Sequence, residues 1–245
     1  MSRYSRQILF EGIGPKGQAK LKKSRVVVVG SGALGTVLAN NLVRAGVGYV
    51  KIIDRDFVEF SNLQRQSLFD ENDARETIPK AAAAIEKLGK INSDVKCEAV
   101  IGDLNPGNIL AHFSGMDLVV DGTDNFETRF LINDACWNLG IPWVYGGYVG
   151  AAGMAAAFIP GKTACLRCLF DSPPAPGIAP TCDTAGIINP ASTMVACLQS
   201  AEALKILVGA LDKLNAGLVS FDLWENRFDN YSLTNAKHEE CLCCG

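Results

Sequence analysis

The sequence predicts an α/β fold, a mixed and mainly parallel sheet with helices on both faces. Three observations carry that expectation. A strand, a glycine turn, a helix and a second strand follow one another near the N-terminus. Further strands alternate with helical stretches behind them. The length of 245 residues is enough to bury one core without staples.

The elements follow in order. Residues 25–29 read as a buried strand running into Gly30-Ser31-Gly32-Ala33-Leu34-Gly35, and a helical pattern extends over 33–45. A strand over 49–53 ends at Asp54, completing a βαβ unit and making the fold Rossmann-like. Residues 61–78 are polar and irregular. Pro79 then suits the first turn of an alanine-rich helix running to Lys90. Residues 95–100 and 117–121 are further strands, and 125–139 a helix. Residues 143–148 and 154–159 read as strands on either side of Gly150. The proline-rich stretch 172–180 cannot be regular and is expected to be a loop or flap. A long apolar helix over 190–208 and a strand over 218–223 complete the pattern.

Composition narrows the classes. Hydrophobic residues make up 48% and charged residues 20%, ordinary globular usage, and the net charge of −3 gives no footprint for nucleic acid or an anionic membrane. The start, Met1-Ser2-Arg3-Tyr4-Ser5-Arg6, lacks an apolar run, and the longest apolar stretches read as strand-sized. No signal peptide and no membrane span are expected, and the cytoplasm is the expected location.

Cysteine use is unusual for that compartment, with nine residues against two histidines. Reducing conditions disfavour disulfides, so clustered cysteines point to metal. Cys165/Cys168 and Cys241/Cys244 form two C-x-x-C pairs, and four thiolates would close a tetrahedral, structural zinc site. The run Cys241-Leu242-Cys243-Cys244 leaves the register open, and Cys241 with Cys244 is chosen as the usual knuckle. One pair precedes the long helix and the other follows it. Residues 1–245 are therefore expected to form a single domain, with zinc knuckles near 165–168 and 241–244. Cys97, Cys136 and Cys197 read as small core residues, and His112 and His238 as incidental.

The glycine turn has the context that nucleotide binding needs, following a strand and opening a helix whose free N–H groups attract phosphate. Gly30, Gly32 and Gly35 allow that approach, and Asp54 is placed for a ribose diol. The turn alone does not separate a dinucleotide from ATP. Ser61-Asn62-Leu63-Gln64-Arg65-Gln66 adds side-chain amides and a guanidinium, and Lys80 stands at a helix start. Asp121-Gly122-Thr123-Asp124-Asn125 ends a strand where a crevice is expected. Arg65 and Lys80 suit a triphosphate, and Asp124 suits Mg²⁺. A nicotinamide-dependent oxidoreductase would share the turn and Asp54 but gives no reason for Arg65, Lys80 and Asp124 together, nor for zinc. A non-catalytic protein-binding module would not need the phosphate and metal residues.

These motifs carry a resemblance. With Arg3-Tyr4-Ser5-Arg6-Gln7, Pro79-Lys80, Cys165-Leu166-Arg167-Cys168 and Thr181-Cys182-x-x-x-Gly186, the chain resembles the MoeB/ThiF/HesA family, bacterial relatives of ubiquitin-activating enzymes. The resemblance spans nearly the whole chain. It implies ATP contacts at the Ala33 backbone, Asp54, the segment Ser61, Asn62, Leu63, Gln64 and Arg65, then Lys80, Asp124 and Asn125. It implies Mg²⁺ on Asp124, a homodimer in which Arg6 reaches the partner's site, and adenylation of a small ubiquitin-like sulfur-carrier protein at its C-terminal Gly-Gly carboxylate. The pathway would be molybdopterin, thiamine or related biosynthesis, with a separate protein as sulfur donor. Cys182 matches a cysteine that bonds the carrier in thiamine-branch relatives. Neighbouring Asp183 would raise its thiol pKa. Departures are Ala33 in place of a commoner glycine, and Ile188-Asn189-Pro190 where the family usually has Gly-Pro-Val.

Overall fold

Four consecutive valines decide where the sheet has its centre. In β1 (Arg25–Val29) all four are buried, as a strand covered on both faces requires. Val26 and Val28 enter one apolar layer, and Val27 and Val29 the other. The computed structural model describes residues 3–170, 172–173 and 185–245. The other strands are β2 (Tyr49–Asp54), β3 (Lys96–Ile101), β4 (Leu118–Asp121), β5 (Trp143–Val149), β6 (Ala152–Phe158), β7 (Gly217–Asp222) and β8 (Arg227–Ser232).

Together they form an eight-stranded sheet in the order β3-β2-β1-β4-β5-β6-β7-β8. The first five in that order pair in parallel, and β5 through β8 run antiparallel. The mixed, mainly parallel sheet is as expected, but β8 was not anticipated. Its sequence, Arg-Phe-Asp-Asn-Tyr-Ser, is exposed throughout and has no core face to give it a period.

Helices cover both faces. Along the chain come α1 (Ser5–Leu9), α2 (Gly14–Leu21), α3 (Ala33–Ala45), α4 (Glu71–Arg75), α5 (Lys80–Ile91), α6 (Ile109–Phe113), α7 (Phe126–Leu139), α8 (Leu166–Leu169) and α9 (Asn189–Val208). Leu21, Leu34, Leu38, Leu42, Leu88 and Val195 bring α2, α3, α5 and α9 onto one face. Phe113, Phe130, Ile132 and Leu166 bring α6, α7 and α8 onto the other. The short helices α1, α4, α6 and α8 escaped the sequence reading because one turn or two carries little periodicity.

Two expectations need correction. Cys197 is exposed on α9, not a core residue, while Cys136 is buried. Apolar stretches are also not all strand-sized: α9 has 20 residues and is long and apolar enough to cross a membrane by length and composition. In this chain it lies against the sheet and α3, with Gln199 and Glu202 buried along it. Glu202 satisfies its charge through Lys205 at 2.5 Å and the Asn215 N–H at 3.0 Å.

Candidate nucleotide site and metal centre

The sheet order reverses direction between β1 and β4, and a crevice of about 450 Å³ opens there at the strands' carboxyl ends. Val29, Gly30, Gly32, Ala33, Asp54, Arg65, Asp124 and Asn125 line it, with Arg55, Gln66, Asp103, Thr123, Thr128 and Tyr148.

Backbone geometry builds its floor. Gly30 has φ of +85°, and a Cβ there would stand 2.7 Å from the Gly122 oxygen. Its N–H donates to Ile53 O at 2.8 Å, and the Gly122 N–H to Val29 O at 2.7 Å, tying the ends of β1, β2 and β4 together. No side chain caps α3, so its N-terminus is left to the crevice. Asp54 accepts from Ser31 N–H at 2.5 Å and from Asp56 N–H at 2.7 Å. Burial pushes the Asp54 carboxyl above its ordinary range, against those two bonds and nearby Lys80, which favour its charge.

The remaining expected contacts divide. Arg65 lines the crevice while its Nη1 donates to Ser61 O at 3.0 Å. Asp124 is exposed at the crevice and offers a carboxylate for a divalent cation. Asn125, not Asp124, caps α7, its Oδ1 accepting from Thr128 N–H at 2.9 Å. Gly35 does not line the crevice but packs beneath it. Ser61, Asn62, Leu63 and Gln64 also lie off its lining. Buried Asn62 accepts from Glu59 N–H at 3.1 Å and holds the turn that presents Arg65. Lys80 is buried at the start of α5, its Nζ 3.1 Å from Asp56 and within electrostatic reach of Asp54. Arg6 is exposed on α1 and is not among the lining residues. Cys182 and most of the 172–180 stretch lie outside the described residues.

Beneath the 121–125 loop is a group the sequence reading missed. Arg129 is buried and donates to Asp121 at 3.2 Å, Thr123 O at 2.8 Å and Gly146 O at 3.1 Å. Asp121 also accepts from the Thr123 backbone and hydroxyl, and Gln199 of α9 donates to Asp121 O at 2.7 Å. Burial pushes the Asp121 carboxyl up, opposed by Arg129. Removing either partner would strand a buried charge. The only sequence signal was a charge at i and i+8, which no local period explains.

The four chosen cysteines do converge. Their sulfurs lie within 4.8 Å of one another, with Cys165–Cys241 at 3.5 Å and Cys168–Cys244 at 3.3 Å. Zn–S bonds of about 2.3 Å in a tetrahedron place sulfurs roughly 3.8 Å apart, so the set fits zinc. Cys243 is not one of these four, and its Sγ accepts from Asn133 Nδ2 at 3.3 Å. Asn133 Oδ1 accepts the Leu166 N–H at 2.9 Å, so one side chain of α7 touches both knuckles. Arg167 grips Asp134 through two bonds of 2.8 and 2.7 Å. His238, read as incidental, has its Nε2 3.1 Å from Cys168 O and braces the same cluster.

Known proteins resemble this chain. The model of the ThiF family matches residues 4–243. A sulfur carrier protein ThiS adenylyltransferase of Bacillus subtilis is 50% identical over 99% of this chain and 71% of its own length. A sulfur carrier protein adenylyltransferase of Thermus thermophilus is 41% identical over all of this chain and 91% of its own. Among solved structures, E. coli MccB with ATP superposes with a TM-score of 0.85 at 26% identity, covering all of this chain and 75% of that one.

Proposed function

The chain belongs to the ThiF family and is an adenylyltransferase; from that premise we propose that it activates the C-terminal Gly-Gly carboxylate of a small ubiquitin-like sulfur-carrier protein. A carboxylate oxygen attacks the α-phosphorus of ATP, the bond from that phosphorus to the bridging oxygen breaks, and pyrophosphate leaves with the electron pair. An acyl-adenylate remains, ready for sulfur from a separate donor protein in molybdopterin, thiamine or related biosynthesis. We place the reaction in the cytoplasm, where reducing conditions keep thiolates available to zinc.

One observation carries the reading. An uncapped helix N-terminus, Asp54, Arg65 and Asp124 surround a single crevice in a chain half identical to a carrier adenylyltransferase. Such chemistry is positioning and charge neutralisation, and this chain has the groups for both. The α3 N–H groups receive phosphate, Asp54 orients the ribose, and Arg65 draws charge from the leaving group. Mg²⁺ bound at Asp124 would offset charge on the phosphates as they separate. Lys80, held by Asp56, adds positive potential from behind Asp54.

The test is ATP–pyrophosphate exchange. Labelled pyrophosphate should enter ATP only when a Gly-Gly-ending carrier is present, and a carrier lacking its last glycine should be inert. Exchange that is absent with every such carrier, or indifferent to the truncation, would overturn the proposal.

A further inference from the structure

Polar side chains around the crevice are mostly committed. Asp54 holds two N–H groups, Arg65 holds Ser61 O, Arg55 holds Asp103, Thr123 holds Asp121 and Asn125 caps α7. Gln66 differs. It is only 4% exposed, and its Oε1 is buried without a hydrogen-bond partner among the described residues. Its backbone is fixed, the N–H donating to Asn62 O at 2.9 Å and the carbonyl accepting from Phe69 N–H at 3.2 Å. A buried carboxamide oxygen without a partner among the described residues is costly, and such costs concentrate at functional sites.

The direction of the side chain is informative. A Cβ on Gly32 would lie 3.8 Å from Gln66 Nε2, and nothing else stands nearer. The amide nitrogen therefore faces the opening of α3, where the helix dipole and free N–H groups gather negative charge. Inside the same turn, the Ser31 hydroxyl is also fully buried and without a partner among the described residues. Gln66 and Ser31 each bring a polar side-chain atom without a partner among the described residues to the turn that opens α3. A phosphate oxygen there would meet an N–H donor from Gln66 that has no hydrogen-bond partner among the described residues.

We propose that Gln66 is a nucleotide-positioning residue, its carboxamide N–H donating to a phosphate oxygen of ATP seated at Gly32 and Ala33. The assignment rests on the proposed function, because it needs ATP in this crevice. As a neutral donor, Gln66 supplements the cationic groups without adding a charge that would hold pyrophosphate back.

Gln66→Met keeps length and removes the donor, and Gln66→Glu replaces it with a negative charge. Binding of a non-hydrolysable ATP analogue and of adenosine should be measured by calorimetry, with thermal stability of each ligand-free protein. Loss of one hydrogen bond to a charged group should weaken the analogue about tenfold in Gln66→Met, and more in Gln66→Glu. Adenosine should bind both variants as it binds wild type. Ligand-free Gln66→Met should melt above wild type, since burying a thioether relieves an unsatisfied amide; a merely structural glutamine would give the opposite sign. The KM for ATP should rise in the exchange assay while the KM for the carrier stays. Equal analogue affinity in all three proteins overturns the assignment and leaves the adenylation reading standing. Equal loss for adenosine and the analogue overturns the phosphate contact. A wild type that binds no analogue overturns both.

Discussion

Gly32 and Gly35 belong to one motif but do different work, and single methyl groups separate them. A Cβ at Gly35 would stand 1.8 Å from Gly30 O, inside any tolerable contact, because α3 packs directly on the turn. At Gly32 the nearest atom is 3.8 Å away and φ is −85°, a value any residue adopts. Gly35→Ala is therefore expected to destabilise the chain by about 3 kcal/mol, as severe overpacking does. Gly32→Ala should stay within about 0.5 kcal/mol of wild type yet lose ATP binding, because its methyl occupies the phosphate approach. Chemical denaturation with calorimetry of the same variants reads both; a stable Gly35→Ala would sink the packing argument. Locality also explains which site residues were legible. Gly30, Gly32, Ala33, Asp54 and Asp124 sit at strand ends, where neighbours in sequence are neighbours in space. Arg129 and Gln199 act across the fold, Gln199 reaching Asp121 over 78 positions, and no local pattern announces that. Lys80 and Asn62 were legible as polar groups in the right region; Asn62 meets the Glu59 N–H locally, in a capping box, whereas the Asp56 partner of Lys80 comes from 24 positions away.

Among elements, the cysteine knuckles form a small cluster of their own. Cys165, Cys168, Cys241 and Cys244 cluster with Ala164, Trp137, Ala236 and Cys243, joined through Trp137 to the layer that holds α6, α7 and α8. The C-terminal segment after β8 reaches the body of the protein largely through this cluster, aided by Asn133 and His238. Zinc should then hold the tail and not the sheet. One zinc per chain is expected by metal analysis, and Cys241→Ser or a strong chelator should remove it. Hydrogen exchange should then show protection lost after residue 232 and near 165–168, while β1 and β4 keep theirs. Global unfolding on metal loss would mean that the cluster is part of the main core. The spacing of the pairs was enough to foresee this centre, because thiolate chemistry and C-x-x-C geometry are local. The partner pairs' meeting across 76 positions was not deducible from periodicity and came from metal chemistry alone. Exposed β8 and the one-turn helices lacked any such signal.

At the scale of the whole molecule, the N-terminal segment leaves apolar side chains exposed. Arg6 is exposed on α1, and beside it Leu9 is 72% and Phe10 65% exposed, a costly arrangement for apolar side chains unless something covers them. The proposal is a twofold homodimer in which each chain covers that segment and lends Arg6 to its partner's crevice. In a closed symmetric dimer, what one chain lends it also receives. Arg6→Ala alone should cost on the order of 10²–10³ in exchange rate, as removal of other charge-stabilising donors does. Asp124→Ala should be similarly impaired through its own site. The two variants are then mixed by co-expression, with the mixed species verified by mass. In a mixed dimer the Arg6→Ala chain keeps its Asp124 and borrows Arg6 from its partner, so one of the two sites is complete. Random pairing makes half the dimers mixed, and exchange should recover to roughly a quarter of wild type. If Arg6 serves its own chain, both sites of the mixed dimer are broken, one lacking arginine and the other lacking aspartate. No recovery in verified mixed dimers would therefore return Arg6 to its own subunit, and a chain that stays monomeric at assay concentration would remove the shared site altogether.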